Sequence, residues 1–321
     1  MKFEDKKIKL WSQLGQRAAF GLACLELEKL YPNLLILTSD VSTSAGLDRF
    51  RKQIPEKYIE VGISEQNLIG VASGLASEGH NVITTTFSPF QTLRCCEQIK
   101  VNLGYMKNKV CMVGLASGVV LGSLGYTHCS IEDIGVLRSI PNISIISPAD
   151  VRETIKSIVA ALSHSESVYI RLTGGSNNPI IYNEDYEFKI GKAIRLKEGK
   201  DLTIYTNGSM VSVALDVRSK LLKNNIEAEI INVHTVKPID EETVKKSANN
   251  KRLLVSIEEH NCIGGLGSAI SEVISNIDIN SKLIYFGLQD SYTSSGDYKY
   301  MLERNGLTPE LIVQKILKNI N

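Results

Sequence analysis

The chain has 321 residues, with 36 Lys and Arg against 35 Asp and Glu, and a formal net charge of +1 at pH 7. This length favours two α/β domains over one small core, and the near-neutral charge argues against a nucleic-acid-binding surface. The Lys-rich opening lacks the apolar stretch of a signal peptide, and the most apolar segment is too short to span a bilayer. We therefore expect a soluble protein with neither a nucleic-acid nor a membrane partner.

The cysteines form neither a C-x-x-C pair nor a Cys/His zinc spacing. We expect reduced, mostly buried thiols in a cytoplasmic protein, and no metal ligands on this chain. The six cysteines are Cys24, Cys95, Cys96, Cys111, Cys129 and Cys262.

Short apolar runs alternate with helical patterns along the first half of the chain. Several runs are continuous, which is typical of parallel strands covered on both faces. The runs that predict strands are LLILTSD, KYIEV, NVITTTF, KVCMVGLA, NISIIS and SVYIRL. The patterns that predict helices are SQLGQRAAFGLACLELEKLY, SEQNLIGVASGLASEG, SPFQTLRCCEQIKVNLGY, SIEDIGVLRSI and PADVRETIKSIVAALSHS, the last with a start signal at Ser147-Pro148.

Residues 174–191 interrupt this rhythm, because the segment is polar, rich in turn residues and without helical periodicity, so it predicts a linker. Beyond it, DLTIYTNG, EAEIINVHT, RLLVSIEEH and KLIYFGL predict strands. MVSVALDVRSKLLKNN, DEETVKKSANN, GSAISEVISN and ELIVQKILKN predict helices. We predict two three-layer α/β domains with parallel or mixed sheets, covering residues 1–180 and 181–321.

The stretch GISEQNLIG places a carboxylate, Glu65, at the start of a predicted helix. Ser64 can cap that helix, and an acidic residue in the first turn interacts favourably with the positive end of the helix dipole. These residues alone leave two interpretations open, a structural helix start and a catalytic carboxylate, and they favour the structural one.

Further motifs occur in a fixed order around this glutamate. GISEQNLIGVASGLA, TTTFSPF, GYTHCSIEDI and IPNISIISPAD are followed, beyond the linker, by INVHTVKPID, EEHNCIGGLGSA and FGLQDSY. From about Trp11 onward this set resembles the pyrimidine-binding and C-terminal domains of transketolases. The resemblance implies an enzyme that uses thiamine diphosphate to transfer a two-carbon ketol unit between sugar phosphates.

The resemblance also implies roles for residues around the cofactor. Glu65 matches the glutamate that hydrogen-bonds a ring nitrogen of the aminopyrimidine and starts a proton relay, so the catalytic interpretation gains weight. Phe87 and Phe90 match aromatic residues that hold this ring, although a third aromatic position is Leu93 here. Asp40 matches an acidic residue near the cofactor at the end of a strand. Ordinary core packing for the aromatic residues and a turn role for Asp40 remain the alternatives.

Four residues match substrate contacts of the family. His128 matches a histidine that touches the sugar donor and shuttles protons, which makes it a second catalytic candidate. Arg171 matches an arginine that grips the substrate phosphate, and Arg17 and Ser44 match two further phosphate contacts. Structural salt bridges for the arginines, a structural role for the histidine and a cap for the serine are the alternatives.

Two positions depart from the family pattern. Ala116 stands where the family has a histidine, and Leu124 stands where it has an aspartate. Sugar hydroxyls would lose two polar partners at these positions, which argues against the ordinary donor. We therefore expect an unusual ketose donor.

Full-length transketolases also have a diphosphate-binding domain, whose Gly-Asp-Gly segment and later Asn bind magnesium, and this chain contains no such segment. The resemblance therefore implies the C-terminal subunit of a split transketolase. An N-terminal partner subunit would supply the magnesium ligands, in a heterotetramer with two copies of each chain.

Three alternatives remain open. The chain could be the beta subunit of a 2-oxo-acid dehydrogenase component, which has the same two domains, or a half resembling 1-deoxyxylulose 5-phosphate synthase. The GYTHCSIED and FGLQDSY motifs favour the transketolase side. The third alternative is a non-catalytic, transketolase-like scaffold. The changes at Ala116 and Leu124 favour this alternative, whereas the retained Glu65 and His128 argue against it.

Overall fold

Two separate β-sheets organise the chain, which a computed structural model describes over residues 4–320. The strands of the first half are β1 (Leu34–Thr38), β2 (Tyr58–Glu60), β3 (Asn81–Phe87), β4 (Val110–Leu115), β5 (Ile143–Ile146) and β6 (Ser167–Arg171). Those of the second half are β7 (Ile194–Lys197), β8 (Leu202–Thr206), β9 (Ala228–Asn232), β10 (Thr235–Lys237), β11 (Leu253–Asn261) and β12 (Lys282–Leu288).

Helices connect the strands and cover the sheets. Those of the first half are α1 (Asp5–Leu14), α2 (Gln16–Glu28), α3 (Asp48–Gln53), α4 (Glu65–Ser77), α5 (Ser88–Gln91), α6 (Cys96–Gln98), α7 (Asp133–Arg138) and α8 (Val151–Ser163). Those of the second half are α9 (Met210–Leu222), α10 (Glu241–Ala248), α11 (Leu266–Ile274), α12 (Tyr298–Arg304) and α13 (Pro309–Asn319). Short 3-10 turns span Pro55–Lys57 and Gly122–Leu124, and a π-helix spans Ile99–Tyr105.

The first sheet has the strand order β10-β5-β6-β4-β3-β1-β2, and the second has the order β12-β11-β8-β9-β7. All pairs are parallel except those of β10 with β5 and of β7 with β9. Helices α2 and α8 pack on one face of the first sheet, and α4 and α7 pack on the other. Helices α9 and α13 cover one face of the second sheet, and α10 and α11 cover the other. The predicted class of two three-layer α/β units is therefore confirmed, as the continuous apolar strands require.

Strand β10 joins the two halves of the chain. The sequence predicts one strand over EAEIINVHT, but the structure divides this region after Asn232 and places Thr235–Lys237 at the edge of the first sheet. A segment from the second half thus completes the first sheet. The division of the chain between residues 180 and 181 remains a proposal.

Three helix predictions need correction. The helix predicted over residues 12–31 is two helices, because Gly15 adopts a φ of 86° between α1 and α2. The start signal at Pro148 is wrong, since α8 begins at Val151 with Asp150 as the cap that accepts from Glu153 N. The helix predicted over residues 88–105 is interrupted after Gln91 and ends as a π-helix. Strand β7 and helices α3 and α12 were not predicted, and neither was the part of α1 before Ser12.

The predicted linker contains no helix or strand between Arg171 and Ile194. It is nevertheless held in place, because Asp150 accepts hydrogen bonds from the backbone amides of Ile181 and Tyr182.

None of the helices within residues 4–320 is long and apolar enough to cross a membrane. All six cysteines are free, and four of them are buried.

Glu258 caps a helix from inside the second unit. Its carboxylate oxygens accept the backbone N–H groups of Leu266 at 2.6 Å and Gly267 at 2.8 Å, at the start of α11. Burial raises the pKa of Glu258 to about 7, although the two backbone hydrogen bonds oppose the rise. A carboxyl group whose pKa is raised on folding favours the folded state while it is protonated, and this contribution is lost as the pH rises through about 7.

The free energy of unfolding should reveal this titration when the wild type is compared with Glu258→Gln. We expect the difference between them to favour the wild type by roughly 2 kcal/mol more at pH 5.5 than at pH 8. Urea denaturation at the two pH values measures the difference. Glu198→Gln, an exposed substitution, is the control and should show no such dependence. A difference that does not change with pH would contradict the raised pKa of Glu258.

Candidate active site

Glu65 lies at the first position of α4, and only 3% of the residue is exposed. The turn before it uses Gly62 at a φ of 73°, which favours glycine. The expected side-chain cap by Ser64 is absent. Its hydroxyl instead donates to Val61 O at 2.8 Å, and its backbone N–H donates to Ser39 Oγ. The loop geometry therefore places Glu65, and the serine fixes the loop.

Glu60, which the sequence analysis missed, ties the ends of β1 and β2 together. Its Oε1 accepts the N–H groups of Asp40 at 2.9 Å and Gly62 at 2.8 Å. Its Oε2 accepts from the hydroxyls of Thr38 and Tyr58. Burial alone would raise the pKa of Glu60, but these hydrogen bonds lower it below its ordinary value. The ionised carboxylate therefore clamps the turn that precedes Glu65.

Arg94 is the direct partner of Glu65 and was also missed. Its Nη1 donates to Glu65 Oε2 at 2.8 Å, and its guanidinium carbon lies 4.1 Å from the centre of the Phe90 ring. Its side chain is 43% exposed, whereas that of Glu65 is 4% exposed. The guanidinium can therefore leave the site more easily than the carboxylate can. Its sequence position, four residues after Phe90, was the available signal.

Three predicted site residues form one aromatic group. The His128 ring lies 5.3 Å from the Phe90 ring and 6.4 Å from the Phe87 ring, and all three pairs meet edge to face. Phe87 ends β3 and Phe90 lies in α5, whereas His128 comes from the loop before α7. The structure thus brings Glu65, Phe87, Phe90 and His128 together, linked through Arg94.

Asp40, Arg17 and Ser44 surround the end of β1. Asp40 is exposed, with a φ of 55°, and its backbone N–H is held by Glu60. Gly46 packs against the backbone of α2 at Arg17 and Ala18, which brings the loop that contains Ser44 close to Arg17. Arg17 is partly buried, and burial lowers its pKa. Among residues 4–320, no hydrogen bond or ion pair of the Arg17 side chain is found.

Arg171 requires a correction. Its side chain is 1% exposed, and its Nε donates to Asp133 Oδ2 at 2.8 Å. Its Nη2 donates to the carbonyl oxygens of Ser130 and Glu259. Burial alone would lower the pKa of Arg171, but the neighbouring Asp133, Tyr169 and Glu259 together raise it above its ordinary value. We withdraw the phosphate-binding assignment, because this guanidinium is enclosed between the two sheets.

The two positions that depart from the family pattern differ in environment. Ala116 is 1% exposed and follows β4 with a φ of 53°, an uncommon conformation for alanine. Leu124 is 56% exposed in the loop before His128. His234 and His260 are fully buried, and burial lowers their pKa values to about 3 and about 4. Across the described chain, no group of three His, Cys, Asp or Glu residues could hold a metal ion.

This arrangement combines a buried carboxylate, two aromatic rings and an imidazole at the carboxyl ends of parallel strands. Such an edge is where open α/β sheets bind ligands. The aromatic rings suit a flat heterocycle, and the carboxylate and imidazole can exchange protons with it or with a second molecule.

Two family profiles together match most of the chain. The profile of the transketolase pyrimidine binding domain matches residues 12–178, and that of the transketolase C-terminal domain matches residues 191–312. The chain is 33% identical over 307 residues to a Phocaeicola vulgatus protein described as a subunit of apulose-4-phosphate transketolase, covering 96% of this chain and 98% of the relative.

Two further proteins are similar over most of the chain. A Clostridium sp. protein described as a 6-deoxy-6-sulfo-D-fructose transketolase subunit is 36% identical over 293 residues, covering 90% of this chain and 89% of the relative. A solved structure described as a split-gene transketolase, in an inactive beta4 tetramer, is 34% identical with a TM-score of 0.85, covering 96% of this chain and 98% of that one.

The contrast between two arginines yields a prediction about stability. Arg171→Met should lower the free energy of unfolding by about 3 kcal/mol or more, because it leaves the buried Asp133 carboxylate without its charge partner. Arg17→Met should change it by less than about 1 kcal/mol, since no ion pair is lost. Urea denaturation of both variants tests the assignment. Equal effects would contradict the structural role of Arg171.

Proposed function

The chain belongs to the transketolase family, and we propose that it is the C-terminal subunit of a split, thiamine diphosphate-dependent transketolase. In this proposal, the enzyme transfers a two-carbon ketol unit between sugar phosphates in the cytoplasm. A partner subunit carries the diphosphate-binding domain and the magnesium ligands, and two copies of each chain form a heterotetramer. The relatives described as subunits, and the solved split-gene relative, support the need for a partner.

The contacts of Arg94 are the main support for this proposal, because they show which kind of chemical group fits between Glu65 and Phe90. A guanidinium is a planar, delocalised hydrogen-bond donor, and here it stacks on Phe90 and donates to Glu65. An aminopyrimidine is also flat and carries hydrogen-bonding nitrogen atoms, so the same two protein groups suit it. We propose that Glu65, Phe87 and Phe90 hold this ring and that Asp40 lies near it.

Bound thiamine diphosphate supplies a nucleophilic thiazolium carbon for transfer of the ketol unit. Glu65 then has the task of sharing a proton with a ring nitrogen of the aminopyrimidine. Its burial favours this task, since a hydrogen bond between titrating groups is stronger at low dielectric. His128 contacts the sugar and moves protons to and from its oxygen atoms, because an imidazole ring can both accept and donate a proton.

Arg17 and Ser44 are the proposed contacts for the phosphate of the sugar. The Arg17 guanidinium is partly desolvated and has no ion pair within the part of the chain that the structure describes. A desolvated cation without a partner favours an anionic ligand, and guanidinium groups bind phosphate through two parallel hydrogen bonds. Arg171 has no part in this contact.

We further propose that the donor is not the ordinary pentose phosphate. Ala116 and Leu124 offer no polar group to sugar hydroxyls, and a hydroxyl that loses its partner on binding costs free energy. Two relatives are named for unusual sugars, apulose 4-phosphate and 6-deoxy-6-sulfo-D-fructose. A modified ketose of this kind is the proposed substrate class.

Reconstitution with the partner chain tests the proposed function. We expect the chain co-expressed with a diphosphate-domain chain to retain thiamine diphosphate and magnesium, and the chain alone to retain neither. Glu65→Gln in the complex should lose ketol transfer by about a hundredfold or more, since an amide cannot share the proton. Cofactor content and transfer to an aldose are the measurements. Full activity of Glu65→Gln would contradict the catalytic role and favour a non-catalytic scaffold.

The same complex distinguishes the dehydrogenase and synthase functions by substrate. Lipoyl-linked oxidation of a 2-oxo acid would indicate the dehydrogenase subunit, and condensation after decarboxylation of pyruvate would indicate the synthase half.

Among ketose donors, xylulose 5-phosphate should react much more slowly than apulose 4-phosphate or 6-deoxy-6-sulfo-D-fructose. Ordinary rates with xylulose 5-phosphate would contradict the proposed change in donor.

Arg94 should compete with the cofactor, because both use Glu65 and the face of Phe90. Arg94→Ala removes this competitor and should tighten binding of thiamine diphosphate to the complex by about fivefold, the size of an exposed ion pair and a cation–π contact. Calorimetric titration measures this affinity. Arg304→Ala, an exposed substitution on α12, is the control. Weaker binding by Arg94→Ala would instead make Arg94 a permanent contact of the cofactor.

A further inference from the structure

The segment of residues 118–130, which we call the His128 loop, is closed at its base. Gly118 and Ser130 form a two-way backbone bridge, with both N···O distances 2.9 Å. Between them the loop has only a short 3-10 turn at Gly122–Leu124 as regular structure. Glycines at its base and tip leave the backbone free to adopt several conformations. The loop therefore depends on outside contacts to hold His128 against Phe90.

Glu259, on β11 of the second sheet, provides the contact nearest the base of the loop. Its Oε1 accepts the backbone N–H of Val119 at 2.8 Å. Gly118 permits this approach, because a Cβ at that position would overlap the Glu259 carboxylate and its φ is 72°. The carboxylate is 1% exposed, so its hydrogen bonds do not compete with water.

The other side of the carboxylate is fixed as well. Glu259 Oε2 accepts from Ser209 Oγ at 2.5 Å and from Tyr298 OH at 2.7 Å. Arg171 donates to the carbonyl oxygens of both Glu259 and Ser130, so one guanidinium joins the strand to the end of the loop. Glu259 is thus a rigid support, oriented by groups that lie outside the loop.

The tip of the loop also rests on the second half of the chain. Gly296 N donates to Gly122 O, and Tyr126 OH is 2.8 Å from Thr293 Oγ1. The rings of Tyr126 and Tyr292 lie 4.9 Å apart. These supports come from the second unit, while the His128 ring contacts aromatic residues of the first.

We propose that Glu259 is a positioning residue for the transfer reaction, which holds the His128 loop so that the imidazole meets the substrate beside Phe90. This inference rests on the proposed function, because it assigns Glu259 an effect that acts through His128. It gives the C-terminal unit a part in the chemistry: it orients a proton-transferring group that lies in the other unit.

Substitutions of Glu259 separate the hydrogen bond from the charge. Glu259→Met fills the same space but offers Val119 N–H no acceptor. Glu259→Gln keeps an oxygen for Val119, and its amide NH2 can donate to the hydroxyls of Ser209 and Tyr298. In the complex, Glu259→Met should lower kcat/KM for the ketose donor on the order of tenfold or more, and Glu259→Gln should restore most of it. Gly118→Ala should act like Glu259→Met, because it displaces the carboxylate.

Glu258→Met is the matched control. Glu258 is the adjacent residue and equally buried, but it caps α11 and makes no hydrogen bond to the His128 loop. Its substitution should lower stability without lowering kcat/KM for the donor in the folded fraction. Thiamine diphosphate affinity should stay near that of the wild type in both methionine variants, because Glu65, Phe87 and Phe90 lie on other elements.

A double-mutant cycle with His128→Ala decides whether Glu259 acts through the imidazole. In that background Glu259→Met should cost no further kcat/KM, since the group that it positions is gone. Faster hydrogen exchange at Val119 in Glu259→Met would accompany this result. Additive losses, an unaffected kcat/KM in Glu259→Met, or an equal loss in Glu258→Met would overturn the inference alone. Normal activity of His128→Ala would overturn the proposed role of His128 as well.

Discussion

Arg171 donates one hydrogen bond to Asp133 Oδ2 at 2.8 Å and two others to the carbonyl oxygens of Ser130 and Glu259, all inside the protein. A guanidinium that leaves water loses several kcal/mol of solvation, so it is retained only where nearly fixed partners compensate for that loss. These partners lie at the end of the His128 loop, the start of α7 and β11 of the second sheet. This buried charge therefore joins the two units at the His128 loop, in addition to the pairing of β10 with β5.

The candidate active site inherits its geometry from this junction and from the strand ends. The carboxyl ends of parallel strands lie at one edge of the sheet. The strand arrangement alone therefore places three residues at this edge: Asp40 after β1, Phe87 at the end of β3 and Ala116 after β4. Asp40 and Ala116 have positive φ angles, because the chain must turn sharply there. The first unit supplies the aromatic and carboxylate groups, and the second holds the loop that brings His128 to them.

The sequence was sufficient where a feature depends on neighbouring residues. Continuous apolar runs predicted the parallel strands, and the GISEQN turn predicted where Glu65 starts its helix. It was insufficient where a feature depends on distant ones. Whether Arg171 faces a ligand or the interior depends on Asp133 and Glu259, which no local pattern connects to it. Strand β10 could likewise not be predicted locally, because it pairs with β5 at the edge of the first sheet. The position of Arg94 could not be predicted either, because its partner Glu65 lies 29 residues earlier in the chain.

The exposed Arg94 gives the buried Glu65 carboxylate a hydrogen-bond donor from within this chain, as the proposed cofactor would. A carboxylate that is nearly inaccessible to water needs a donor at all times, or it lowers the stability of the folded chain. Arg94 provides this donor from an exposed position, and an exposed arginine loses little free energy when it exchanges an ion pair for water. A buried arginine such as Arg171 would have made the same bond permanent. The difference in exposure between the two arginines thus distinguishes the contact that we propose a ligand replaces from one that the fold requires.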